Sequence, residues 1–158
     1  MALRARPHVL LMLADDWGSY DARFIQRSLG RSPDVSTPAI DEMAGNGVFL
    51  SSYYVQPICT PTRASLLTGR FSAHTGCEHT LFGPSEPSCL PRQLPLLPHA
   101  FTALGYQCHM VGKWHLGYPN ASCAPWGRGF ASYLGYLNGN EGYYCLLYTS
   151  DAADEEDS

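Results

Sequence analysis

The chain has 158 residues, 45% hydrophobic and 12% aromatic, with a formal charge of -4. That length suits about one domain, and the apolar content suffices for a buried core, which argues against disorder over most of the chain. Asp151, Asp154, Glu155, Glu156 and Asp157 account for five of the 14 acidic residues, leaving 9 acids against 10 bases before them, so neither a nucleic-acid footprint nor a polybasic membrane patch is indicated.

No apolar run approaches the ~20 residues needed to span a bilayer. The longest, VLLMLA from Val9 to Ala14, is short for a signal-peptide core and leads into Asp15 and Asp16 rather than a cleavage site. It reads as a buried strand over 9–13. Thr37-Pro38 presents an N-cap followed by proline at the first helical position. Ile40, Met43 and Ala44 then share a face, and Gly45 or Gly47 ends the helix. VFLSSYYV, residues 48–55, has the β-branched and aromatic content of a strand. Thr60-Pro61 repeats the cap-then-proline pattern, with Ala64, Leu66 and Leu67 as the buried side and Gly69 as terminator. A further helix ends at Gly105 after AFTALG, and YQCHMV, residues 106–111, is a strand running into Gly112. Alternating strands and helices predict an α/β fold with a mostly parallel sheet.

In such sheets ligands bind beyond the carboxyl ends of the strands, and three chemically loaded segments fall there. Asp15 and Asp16 offer hard oxygen ligands suited to Ca²⁺ or Mg²⁺, although aspartates after a strand are equally at home as turn or cap residues. Cys59 sits at a helix N-terminus, where unsatisfied N–H groups and the dipole favour an anion, and Arg63 in the first turn can reach the same spot with a guanidinium fork. A disulfide cysteine or a thiolate nucleophile is the other reading of Cys59. Lys113 is the only lysine in the chain and lies two residues before His115. On extended backbone the two face the same way, so an ammonium and an imidazole can meet one ligand; alternatively they are a surface lysine and a hydrogen-bonded histidine.

Six cysteines (Cys59, Cys77, Cys89, Cys108, Cys123 and Cys145) and the glycosylation sequon Asn120-Ala121-Ser122 lean towards the secretory pathway. From Cys145 the composition turns abruptly small and acidic (CLLYTSDAADEEDS). Residues 145–158 read either as a solvated acidic tail or as a foreign translated adapter joined to a body of residues 1–144.

CTPTRASLLTGR matches the sulfatase signature C-x-P-x-R followed by T-G-R, HMVGKWHLG resembles the second sulfatase signature, and LADDWG occupies the place of the metal-binding aspartates. The intervening TPAIDEMAGNGVFLSSYYVQPICTPTR is similar as well. Over roughly residues 7–144 the chain thus resembles the formylglycine-dependent sulfatases, in particular the arylsulfatase B, I and J group. The resemblance implies the N-terminal part of an alkaline-phosphatase-like α/β sulfatase domain, a mostly parallel sheet sandwiched by helices. It implies that Cys59 is oxidised to formylglycine by a formylglycine-generating enzyme, and that the hydrated aldehyde is the nucleophile. Asp15, Asp16 and the modified Cys59 would hold one Ca²⁺, Arg63 would stabilise the aldehyde hydrate, Lys113 would bind a sulfate oxygen, and His115 would orient the hydrate or move a proton.

The substrate implied is a sulfated carbohydrate or aryl sulfate, by analogy N-acetylgalactosamine 4-sulfate, and the setting is the lysosome or the extracellular space. Cys89 and Cys123 sit where that group has structural cysteines, with their partners left open; Cys77 and Cys108 match none and read as buried thiols. The family's later Asp-Asn pair and a further histidine and lysine find no counterpart after residue 144. An N-terminal piece, inactive by itself, is therefore expected. The alternatives are a short non-catalytic product of sulfatase-like fold, or a phosphoesterase of the same architecture, against which the cysteine of C-x-P-x-R argues.

Overall fold

The computed structural model describes residues 6–140. Cys145 and the segment 145–158 lie outside the described residues. The chain divides into two compact units, Met1–Tyr53 and Tyr54–Ser158.

In the first unit, helices α1 (Arg23–Ser28) and α2 (Pro38–Asn46) are joined by one carboxylate. Asp41 accepts hydrogen bonds from Arg23 Nε, the Phe24 amide and Thr37 Oγ1. Partial desolvation acts to raise its pKa, but the bonds from Arg23 and Thr37 outweigh it and hold the carboxyl below its ordinary value. Thr37 stands at the N-cap of α2 as expected and Gly47 at its end, yet the threonine hydroxyl bonds the Asp41 side chain and the Arg23 amide rather than a backbone amide of its own helix. No residue of α2 is buried, so the expected apolar face of Ile40, Met43 and Ala44 is not covered. Phe24 and Phe49 meet edge to face with centroids 5.0 Å apart.

Two expected strands are corrected. Residues 9–13 and 48–55 form no ladder among the described residues, and their apolar side chains are open, with Leu10 81% and Val48 88% exposed. A strand is defined by the neighbour that accepts and donates its backbone hydrogen bonds, and composition alone supplies no neighbour.

The second unit contains α3 (Cys59–Thr68), α4 (Leu97–Ala103), β1 (His109–Val111) and β2 (Ser132–Leu134), with short 3₁₀ turns at Ser72–His74 and Pro125–Arg128. β1 and β2 pair in parallel, His109 opposite Ser132 and Val111 opposite Leu134. The parallel α/β arrangement is thus present, with β1 covering the last half of the expected 106–111 strand. Trp114, Leu116, Leu90, Leu96, Ala64, Phe82 and Cys77 form the core. Trp114 is fully buried, meets Phe130 in a T-shaped ring contact, and satisfies its indole N–H on the Gly117 carbonyl at 3.0 Å.

Cys89 and Cys123 pair with each other in a disulfide, which supplies the partners that the sequence left open. Cys77 is a buried thiol, its pKa raised by burial, and Cys108 is half buried. Arg128, 2% exposed, donates to the carbonyls of Leu90 at 2.9 Å and Leu94 at 3.0 Å, satisfying a buried charge with backbone acceptors.

Gly117 is where the polypeptide following β1 passes the disulfide. Its φ is +77, and a Cβ there would lie 2.3 Å from the Ser88 carbonyl oxygen and 2.6 Å from Cys89 Cα. Both the left-handed backbone and the close approach require glycine. Gly117→Ala is expected to destabilise the intact protein by more than the ~1 kcal/mol that the backbone conformation alone costs, seen as a lowered thermal midpoint.

Candidate active site

Helix α3 begins at Cys59, two residues earlier than the cap-then-proline pattern suggests, with Ile58 as an extended N-cap. Pro61 falls in the first turn, where no intrahelical N–H is needed. Thr62 Oγ1 donates to the carbonyls of Ile58 at 2.8 Å and Gln56 at 2.9 Å, fixing how the chain enters the helix. Gly69 closes it in the left-handed conformation, φ 66, its amide bonded to Ser65, as expected. The buried side is Thr60, Pro61, Arg63 and Ala64; Leu66 and Leu67 are only partly covered.

Three side-chain contacts join the start of α3 to residues 113–115. Lys113 Nζ donates to Cys59 Sγ at 3.0 Å, Arg63 Nη1 to the Lys113 carbonyl at 2.6 Å, and Thr60 Oγ1 to the His115 carbonyl at 2.9 Å. On its other side the segment continues the β1–β2 pairing. Gly112 N–H donates to the Leu134 carbonyl, Trp114 N–H to Tyr136 and His115 N–H to Leu137. Residues 113–115 are therefore held between helix and strand by paired backbone groups on both sides.

Arg63, Lys113 and His115 are all buried, 8%, 8% and 7% exposed, while Cys59 is half buried. The Lys113 ammonium and a helix N-terminus thus meet at a partly accessible thiol, with Arg63 and His115 buried on the two segments that carry them. Desolvation makes charge interactions at such a spot stronger than in water, so it suits a small multivalent oxyanion. The described disulfide joins Cys89 to Cys123, and Cys59 carries a thiol.

His115 has φ 54, so the backbone is not extended there, and the expected common direction of Lys113 and His115 does not follow from strand geometry. Their placement comes from the tethers instead. Thr60 read as a helix cap in sequence, whereas it is a cross-link to His115; nothing in the spacing distinguished the two uses of a threonine hydroxyl. Gly139 leaves room, through its missing side chain, for the His115 ring. A glycine in the polar stretch 138–140 was its only sequence signal. Asp15 and Asp16 belong to the first unit, with exposed side chains, and Asp16 has φ 54.

A family model described as Sulfatase matches residues 7–150, and the chain belongs to the sulfatase family. Its fold is an incomplete, N-terminal portion of the alkaline-phosphatase-like α/β sulfatase domain. Arylsulfatase J of Mus musculus is 42% identical over 140 residues, covering 89% of this chain and 22% of that protein. Arylsulfatase A of Homo sapiens is 34% identical, covering 85% and 26%, and N-acetylgalactosamine-6-sulfatase of Homo sapiens is 34% identical, covering 87% and 27%. The chain therefore spans about a quarter of the length of these relatives. Among solved structures, Ps i-CgsB superposes with TM-score 0.76 at 33% identity, covering 84% of this chain and 28% of that one. The same protein in complex with k-i-k-neocarrahexaose gives TM-score 0.76 at 30% identity, covering 89% and 31%.

Arg63→Met in the intact protein leaves the buried Lys113 carbonyl without its Arg63 donor. A loss of ~1–3 kcal/mol is expected from that contact, read as a lowered midpoint in denaturant. Arg63→Lys is expected to recover only part of it, because an ammonium lacks the planar fork.

Proposed function

We propose that the protein to which this chain belongs is a sulfuric ester hydrolase acting on sulfated carbohydrates, with Cys59 as precursor of the nucleophile. The observation that carries the reading is the Lys113 ammonium held 3.0 Å from Cys59 Sγ at the first residue of α3. A sulfate ester placed there meets a lysine point charge and the amide dipoles of the helix start, both of which favour the charge that develops on the sulfate oxygens. Arg63 keeps the Lys113 backbone in place through Nη1, and His115, buried beside them, is the group suited to moving a proton near neutral pH.

The modification and the metal come from family membership. Cys59 within C-x-P-x-R fits a formylglycine-generating enzyme as partner, and its half-buried side chain lies at the end of a helix, where a modified group would stay accessible. Asp15 and Asp16, both exposed, offer the hard oxygen donors that suit one Ca²⁺, with the modified Cys59 as a further ligand. Formylglycine, as its hydrate, supplies an oxygen nucleophile, and Ca²⁺ supplies charge that polarises the sulfate. Carbohydrate substrates are supported by the neocarrahexaose bound to one structural neighbour and by the amino-sugar in the name of one relative.

Cys59→Ala in the intact protein is expected to abolish hydrolysis of an aryl sulfate while leaving the circular-dichroism spectrum and thermal midpoint in place. Undiminished turnover would overturn the role of Cys59, and hydrolysis of p-nitrophenyl phosphate in preference to the sulfate would favour the phosphoesterase reading.

The same reading puts the protein in the secretory pathway, lysosomal or extracellular, as a glycoprotein. The disulfide supports this, as does the exposed sequon beside it. Asn120 Oδ1 accepts from the Ser122 amide at 3.1 Å and the Ser122 hydroxyl at 2.6 Å, forming a surface turn. Expressed in mammalian cells, the protein is expected to carry an N-glycan at Asn120, removable by peptide-N-glycosidase and lost in Asn120→Gln; an unmodified Asn120 peptide in the secreted protein would exclude it.

A further inference from the structure

His115 occupies the left-handed backbone region, which a non-glycine residue keeps only when its surroundings over-determine it. Here the amide donates to the Leu137 carbonyl at 3.1 Å, and the carbonyl accepts from the buried Thr60 hydroxyl at 2.9 Å. The imidazole lies against Gly139. A Cβ on that glycine would stand 2.7 Å from Cε1, 2.9 Å from Nε2 and 3.3 Å from Nδ1. The nitrogen-bearing edge of the ring, rather than its carbon side, thus occupies the space a side chain would take.

Backbone conformation does not explain this glycine, since Gly139 is absent from the residues of positive φ. The contrast with Gly129 is informative. There a Cβ would lie 3.4 Å from the His99 ring, an ordinary approach, and φ +96 already accounts for glycine. At 139 the three atoms nearest to such a Cβ all belong to the imidazole, and that residue, 7% exposed, has little room to yield.

We propose that Gly139 is a positioning residue for sulfate-ester hydrolysis: its missing side chain sets the orientation of the His115 nitrogens. The proposal rests on the sulfatase reading and on His115 handling a proton there. A methyl group at 139 rotates the ring away from its working direction, while the backbone bonds to Leu137 and Thr60 persist. Gly139 lies outside C-x-P-x-R, so a change there leaves the maturation signal intact.

The test uses the intact protein as wild type, Gly139→Ala, His115→Ala and the double variant. Gly139→Ala is expected to lower kcat for an aryl sulfate at least ~10-fold, a fraction of what a positioned acid–base group contributes. KM should stay within about threefold, the kcat pH profile should shift, and the extent of Cys59 modification by mass spectrometry should not change. Combined with His115→Ala it should cost nothing further, because both act through one ring. An unchanged kcat and pH profile, or losses that simply add, would overturn the proposal. Crystal structures of wild type and Gly139→Ala supply a readout independent of turnover. A displaced imidazole is expected, and a ring in its original place sinks the positioning role even if the enzyme is a sulfatase. Wild-type protein that cleaves no sulfate ester would instead overturn the functional reading on which the role depends.

Discussion

The second unit depends on the tethering of residues 113–115 to the first turns of α3. Arg63 and Thr60 both turn inward from that helix and donate to carbonyls two residues apart, those of Lys113 and His115. A hydrogen bond from a charged donor contributes about 1.5–3 kcal/mol, and a buried carbonyl left without a donor costs a comparable amount. The arrangement is therefore steep: small movements of the helix against the loop lose a bond and strand a polar group. The contact between Lys113 and Cys59 follows from it, because Cys59 starts the helix and Lys113 carries one of the tethered carbonyls.

The far end of the loop is pinned by different means. Gly117 threads past Ser88 and Cys89 at distances that exclude any side chain, and the Cys89–Cys123 disulfide closes that corner covalently. Trp114 fills the core beneath, with its one polar atom bonded to Gly117. Lys113 and His115 thus alternate with buried apolar residues, Trp114 and Leu116, whose packing is as much a part of the site as the charged groups. Low polarity around the tethers strengthens them and raises the cost of disturbing them. Stability and chemistry are consequently inseparable at Arg63.

Much of the site was legible from spacing. The helix from the Cys59 region to Gly69, the placing of Cys59 at its N-terminus, and the helix opened by Thr37-Pro38 follow from local rules about caps, proline and glycine, which act over a few residues. Lys113 and His115 were identified as chemically loaded, although the argument for their common direction assumed extended backbone and His115 is left-handed. Residues 9–13 and 48–55 misled because their composition is that of strands, while the ladder that defines a strand needs a partner found among no described residues. The hydroxyl of Thr60 misled for a related reason: a helix cap and a long-range cross-link require the same atom.

The sequence by itself determined the residue types of the site, their order, the local start and stop of α2, the stop of α3, and, through the joint spacing of the motifs, the sulfatase family. These are short-range or cumulative properties of the chain. Tertiary structure alone decided that Cys89 pairs with Cys123, that Thr60 and Arg63 hold the 113–115 carbonyls across separations of 55 and 50 residues, and that Gly139 makes room for the His115 ring. The physical reason is that each is a contact between groups far apart in sequence, fixed by where buried polar atoms can be satisfied and where backbone can approach side chain. Local propensity carries no information about either.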